Sequence, residues 1–239
     1  MSAAGGDAAD SAPARYVRRR SDVVVLVVGV LLLVLTALPI RRDSVPALEV
    51  DIYRLINDTL VVPFTAVWLV MQLGNVIVVP LAALVAAAFR RFRLAVSILG
   101  AGLLTYVLTR ILKALVERGR PPELLPDPNV RGEPATGLGY PSGHAASATL
   151  IAAVSFPYLG RWGRVVVCTL AGLVCLSRIY VGAHFPLDVL GGIALGLLVS
   201  AIMHLLFGSP SRPVLMVDHR SEDAGAGSEE GERRATEAG

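Results

Sequence analysis

The chain has 239 residues, of which 54% are hydrophobic and 17% charged, and its mean hydropathy is +0.63. Soluble domains carry about 25% charged residues, so an ordinary water-soluble fold is excluded and a single membrane-embedded domain is expected. The formal charge of +3 and pI near 9.1 do not indicate nucleic acid, because the arginines stand in short clusters beside apolar runs, with no aromatic-interleaved basic patch.

Residues 1–21 predict a disordered, small and polar N-terminus closing on the basic "RYVRRRS". The run "DVVVLVVGVLLLVLTALPI" follows. A basic flank before an apolar run also describes a signal peptide, but this run is long and no small-x-small cleavage site follows, so it reads as a first transmembrane helix over 22–39. Residues 40–59, with "VDIYRLIND", predict an extramembrane amphipathic piece. The stretch 60–89 is too long for one span and is interrupted at Gly74-Asn75 and Pro80. It divides into an interfacial or partly inserted helix at 60–73 and a second span at 75–89. After "RRFR", a third span runs from 94 to 116.

The segment 117–141, "ERGRPPELLPDPNVRGEPATGLGYP", holds too much proline and glycine for a continuous helix, and loops of this length are often functional. Spans are expected at 144–159, 164–180 and 186–207, and residues 208–239 read as a disordered acidic tail. The expected architecture is thus an all-α, polytopic bundle of about six transmembrane helices over 22–207, with both tails on one side. Arg15, Arg18, Arg19, Arg20, Arg90, Arg91, Arg93, Arg161 and Arg164 fall on the side of the tails, which the positive-inside rule makes cytoplasmic. The 117–141 loop and the 177–186 connection share the outer face. Cys168 and Cys175, if helical, lie about 10 Å apart along the axis, too far for a disulfide.

Three segments meet on that outer face. In "KALVERGRP", Lys113 is the one lysine among 22 basic residues, and Arg120 follows it seven positions later. Each alone reads equally as a snorkelling side chain. Together, on one helical face, they suit a phosphate clamp. In "PSGH", Ser142 is a good N-cap, and the helix behind it offers free N–H groups and a positive dipole end. Gly143 lets an anion approach the backbone, and His144 stands beside that seat, able to donate a proton. In "SRIYVGAHFPLD", Pro186 fits the first turn of the last span, with His184 just before it and Asp188 within it. Asp188 either favours the helix dipole or accepts from one ring nitrogen of His184, leaving the other lone pair free to attack. Arg178 adds a bidentate hold on phosphate. There is no cysteine cluster or paired carboxylate of the kind that holds a metal. Arg118 and Arg131 lie in the long loop, within reach of a headgroup; His204 falls near the opposite face and reads as structural.

These residues resemble the signature of the type-2 phosphatidic acid phosphatase superfamily, which also includes vanadium haloperoxidases. Lysine, six residues, arginine-proline is present as Lys113 to Pro121; proline-serine-glycine-histidine as Pro141 to His144; serine-arginine, five residues, histidine, three residues, aspartate as Ser177 to Asp188. The resemblance implies a membrane phosphatase that works through a phosphohistidine intermediate, without metal or other cofactor. His184 matches the nucleophile, Asp188 its orienting partner and His144 the acid that protonates the leaving oxygen. Lys113, Arg120, Ser142, Gly143 and Arg178 match the phosphate-binding positions. A neutral His184 and a protonated His144 predict a bell-shaped pH profile. The expected substrate is a lipid phosphate held in the bilayer of a plasma membrane, foremost a polyprenyl (undecaprenyl or decaprenyl) diphosphate on the extracytoplasmic side. Phosphatidylglycerophosphate and phosphatidate are the alternatives. A non-catalytic lipid transporter or binding protein is the reading from another class, and the near absence of charge in spans one, four and six speaks against it.

Overall fold

The computed structural model describes residues 15–41, 44–132 and 135–211. Prolines set several of the helix starts, since a residue without an N–H fits where no intrahelical donor is needed. Pro46 precedes α2 (Ala47–Thr59), Pro63 precedes α3 (Phe64–Gln72), and α6 (Pro121–Leu124) and α9 (Pro186–Phe207) each begin on one. The remaining helices are α1 (Arg20–Ala37), α4 (Val78–Ala88), α5 (Phe92–Val116), α7 (Gly143–Ser155) and α8 (Arg161–Tyr180). A two-residue strand β1 (Tyr16–Val17) pairs antiparallel with β2 (Ser209–Pro210).

The expected all-α membrane architecture is present. Four helical segments, those of α1, α5, α8 and α9, are long and apolar enough to cross a membrane, or up to five if the bent pair α2–α3 is one span. The count of six is not reached on length and composition. The eleven residues of α4 rise only about 16 Å, against a hydrocarbon core of about 30 Å, and α7 has thirteen. The interruption between residues 60 and 89 is larger than the sequence suggests, because α2 and α3 meet at 120°. The expected disordered ends also contain order: β1 and the start of α1 lie within 1–21, and β2 lies within 208–239. The rest of both tails is outside the described residues.

Outside, the bundle presents Val24, Leu31, Leu35, Leu103 and Leu115, as a lipid-facing surface must. Inside, it packs on small residues. Without a hydrophobic drive between helices in lipid, close backbone approach supplies the packing. Gly192 and Gly196 on α9 show this directly: a Cβ on Gly196 would lie 2.8 Å from the Ala146 carbonyl oxygen and 2.9 Å from the Leu150 nitrogen of α7. On Gly192 it would lie 2.5 Å from the Ser142 carbonyl oxygen. This contact holds the start of α7 against the start of α9, and so sets two of the expected site segments side by side.

The two ends of the bundle differ in kind. At one end, Arg18 donates from Nε to the Leu205 carbonyl oxygen (2.7 Å), Arg19 to that of Pro210 (2.8 Å) and Arg93 to that of Phe207. His204 contacts the Val154 carbonyl oxygen at 3.3 Å and Asp22 at 3.7 Å, a structural position, as expected. At the other end, α2 turns the stripe Glu49, Tyr53 and Asn57 inward, with Ile56 packed beside it, while Leu48, Ile52 and Leu55 are exposed together with Asp51, Arg54 and Asp58. Asn57 Nδ2 donates to the carbonyl oxygens of Asn129 (2.9 Å) and Tyr180 (2.8 Å), tying α2 to the long loop and to α8.

Gly196→Leu is expected to cost about 1–3 kcal/mol, a fall in melting temperature of several degrees at roughly 2–4 °C per kcal/mol. Gly172→Ala, where a Cβ meets nothing within 4 Å, should leave it unchanged. Thermal unfolding in detergent reads both.

Candidate active site

The three signature segments come together at the end of the bundle covered by α2. Lys113 sits in the last turn of α5, and its ammonium donates to the Leu138 carbonyl oxygen of the long loop. Arg120 does not share its helical face. The helix stops at Val116, Glu117 takes a left-handed conformation (φ 48°), and Arg120 lies beyond it in extended backbone before α6. Its side chain still reaches the centre of the site, donating from Nε to the Gly137 carbonyl oxygen (2.7 Å) and from Nη1 to that of Ala183 (2.8 Å).

Arg120 Nη1 also stands 3.2 Å from His184 Nε2. A guanidinium has no acceptor, so Nε2 must accept and the proton of the neutral ring sits on Nδ1. That nitrogen lies 3.4 Å from Asp188 Oδ2. The same Oδ2 accepts from the Phe185 N–H at 2.9 Å, and the Asp188 carbonyl oxygen accepts from the Ser142 N–H at 2.9 Å. His184 is 2% exposed. Burial, and then the positive charges of Arg120, Arg178 and Lys113, hold its ring well below the ordinary histidine range; His144 acts in the same direction. Burial and four members of the expected site, Arg120, Arg178, Lys113 and His144, thus act on one imidazole and keep it neutral at neutral pH.

Ser142 occupies the N-cap of α7 as expected, but its side chain makes no capping bond. Its Oγ is buried without a partner among the described residues, and so is Arg178 Nε. The Arg178 guanidinium touches only the weakly accepting Met71 sulfur through Nη1. None of the ion pairs among the described residues involves Lys113, Arg120 or Arg178. A Cβ on Gly143 would meet nothing within 4 Å, so the space before the α7 N-terminus is open. Buried donors without acceptors are rare. Here they surround a neutral imidazole, an arrangement suited to a phosphate group.

Two loop arginines are not placed at a headgroup. Arg131 donates to the Tyr180 carbonyl oxygen (2.6 Å) and lies over the Tyr180 ring. Arg118 is 0% exposed and turned inward, donating to Glu49 and to Asp188. Sequence reasoning missed Glu49. Its only signal is an acid at the start of an amphipathic helix, which reads as a solvated face. Among the described residues no group of three or more His, Cys, Asp or Glu side chains is placed to hold a metal ion.

Residues 92–211 match the PAP2 superfamily, and the chain belongs to that family. Several of its relatives are lipid phosphatases. The chain is 36% identical to decaprenylphosphoryl-5-phosphoribose phosphatase of Mycobacterium tuberculosis, over 55% of this chain and 72% of that one. It is 28% identical to undecaprenyl-diphosphatase of Sulfolobus acidocaldarius, over 64% and 75%. Its structure resembles the PAP2-type phosphatidylglycerolphosphate phosphatase of Bacillus subtilis with a TM-score of 0.61 and 25% identity, over 74% of this chain and 92% of that one. The chain is a membrane phosphatase of this family.

Loss of a charge-assisted hydrogen bond to phosphate costs about 1.5–3 kcal/mol. Arg178→Gln should therefore raise the inhibition constant of inorganic phosphate by roughly ten-fold or more, measured on residual turnover. An unchanged constant would remove Arg178 from the anion seat.

Proposed function

We propose that the membrane bundle of residues 22–207 hydrolyses a lipid phosphate or diphosphate through a phosphohistidine on His184. The carrying observation is the neutral, buried His184 ring, its Nε2 lone pair facing Arg120 at 3.2 Å and its Nδ1 facing Asp188 at 3.4 Å. When a phosphate enters, Arg120 exchanges Nε2 for a phosphate oxygen. Lys113, Arg178, Ser142 and the α7 N-terminus take the others, stabilising charge where the transition state spreads it. Nε2 attacks phosphorus in line, the bond from phosphorus to the lipid oxygen breaks, and His144 gives that oxygen its proton. Water then attacks the phosphohistidine, His144 takes the water's proton, and inorganic phosphate leaves with His184 restored. No step calls for a metal.

The favoured substrate is a polyprenyl diphosphate, met on the extracytoplasmic side of the plasma membrane; phosphatidylglycerophosphate and phosphatidate are the alternatives. Two features support a membrane-held substrate. A groove of about 240 Å³ between α3 and α8, lined by Leu60, Val62, Val67, Leu173 and Leu176, ends at Ser177 and Tyr180, beside Arg178. The arginine clusters gather at the opposite end of the bundle, which supports an outward-facing site under the positive-inside rule. The polyprenyl preference draws on the activities for which the Mycobacterium and Sulfolobus relatives are named.

Phosphate release by the purified protein in EDTA should persist, be lost in His184→Ala, and be fastest with polyprenyl diphosphate when the three lipids are compared. Loss of release on chelation, or its survival in His184→Ala, would refute the mechanism. The pH dependence has a definite sign. A depressed His184 keeps its lone pair until well below pH 6.5, so the acid limb of kcat/KM lies under the value of about 6.5 for a free histidine. Arg178→Gln removes one of the charges that depress it and should move that limb upward, while the substrate's own ionisation stays put.

A further inference from the structure

We propose that Glu49 and Arg118 are positioning residues for phosphoryl transfer, setting the Asp188 carboxylate and through it the His184 ring. The proposal rests on the reading of His184 as nucleophile and Asp188 as its orienting partner.

The geometry is a chain of buried charges running from α2 into the site. Arg118 donates from Nη1 to Glu49 Oε1 (3.0 Å) and from Nη2 to Glu49 Oε2 (2.6 Å), a two-pronged clamp. The same Nη1 donates to Asp188 Oδ1 at 2.9 Å. With Oδ1 held by Arg118 and Oδ2 by the Phe185 N–H (2.9 Å), the carboxylate plane is fixed at both oxygens, with Oδ2 3.4 Å from His184 Nδ1, a nitrogen that has no other partner among the described residues. Glu49 also accepts from the Leu187 N–H at 2.9 Å through Oε1, so it grips the first turn of α9 as well as the arginine that aims Asp188. The ring of Phe185, next to His184 in the chain, is bracketed by the Arg118 guanidinium at 4.7 Å and the Tyr53 ring at 5.4 Å. Arg118 and the inward face of α2 thus reach Asp188, Phe185 and the first turn of α9 together.

Stability alone does not account for this arrangement. Buried ion pairs are weak contributors to stability, and well-packed apolar residues of similar volume commonly serve a fold as well or better. Here two acids and an arginine are withdrawn from water, at 4%, 0% and 0% exposure for Glu49, Asp188 and Arg118. They also place an acid on the buried stripe of α2, while Leu48 and Leu55 point outward. Such an arrangement specifies the orientation of one group, the Asp188 carboxylate. An orienting carboxylate that is free to rotate would hold Nδ1–H in only part of the population, and misplacement of a reacting group by about 1 Å can cost a hundred-fold in rate.

The test is rapid-quench measurement of acid-labile phosphate on the full-length protein in detergent, with a radiolabelled lipid phosphate, for the wild type, Glu49→Gln and Arg118→Met. Glu49→Gln keeps the shape of the side chain and an acceptor for the Leu187 N–H, so it guards against a variant that merely fails to fold. Melting temperatures are recorded beside the rates. The expected result is a fall of roughly ten- to a hundred-fold in both kcat and the rate of phosphoenzyme formation. The KM and the inhibition constant of inorganic phosphate should stay within about two-fold, since no phosphate-binding group is removed, and Glu49→Gln should melt within a few degrees of the wild type. Phosphoenzyme forming at the wild-type rate in both variants would overturn the positioning role while leaving the phosphohistidine reading intact. So would a loss of rate matched by a loss of folded protein, or a rise in KM at constant kcat. A wild type that turns over without any phosphoenzyme, together with an active His184→Ala, would instead overturn the underlying reading and this proposal with it.

Discussion

The Arg118–Asp188 ion pair, fully withdrawn from water at 2.9 Å, is the interaction on which the rest of the site end depends. A buried charge is tolerable only when paired and hydrogen-bonded, and removing one partner of such a pair costs about 3–5 kcal/mol. Asp188 lies in the first turn of α9 and Arg118 in the turn that follows α5, so the pair binds two helices at the level where chemistry would occur. With it comes Glu49, which takes both Nη groups of the arginine. α2 therefore carries a buried acid on the stripe that also holds Tyr53 and Asn57. The Arg118 carbonyl oxygen accepts from the Gly139 N–H at 2.7 Å, which carries the same constraint into the segment before Pro141.

The opposite imbalance governs the space in front of His184. Lys113, Arg120 and Arg178 make no ion pair among the described residues. Ser142 Oγ and Arg178 Nε have no partner. Behind the imidazole Arg118, Glu49 and Asp188 are thus all ion-paired, while the cations before it are not. Such a division keeps His184 neutral and leaves donors aimed at the place an anion would take. A phosphate supplies the missing acceptors on several oxygens at once, which is where phosphoryl transfer gains most of its acceleration.

Much of the site was legible in the sequence because its residues are chemically unusual where they stand. A sole lysine at a helix end, a histidine after Ser-Gly, and a histidine and aspartate astride Pro186 have few bland explanations together, and the structure gathers them. Lys113 and Arg120 do not share one helical face, because α5 ends at Val116, where the sequence already places the end of the third span, and Arg120 lies beyond the left-handed Glu117. Glu49 and Arg118 were hidden for a different reason. An amphipathic pattern does not report which of a helix's polar residues turn inward, and in α2 Glu49 and Asn57 do while Asp51, Arg54 and Asp58 stay exposed. The span count suffered likewise: the apolar composition of 60–89 is plain, but the 120° bend between α2 and α3 and the brevity of α4 are set by tertiary packing. Gly192 and Gly196 went unread in the sequence, although small residues four apart are a close-packing pattern, and they do that work against α7.

The central claim is that the phosphoryl group rests on His184 between two in-line displacements. The most direct measurement is the stereochemical course at phosphorus, using a lipid substrate whose terminal phosphate is chiral through sulfur and oxygen isotopes. Each in-line step inverts the configuration, so two steps through a phosphohistidine give net retention, and that is the predicted result. Net inversion would mean that water attacks phosphorus directly and would contradict the account.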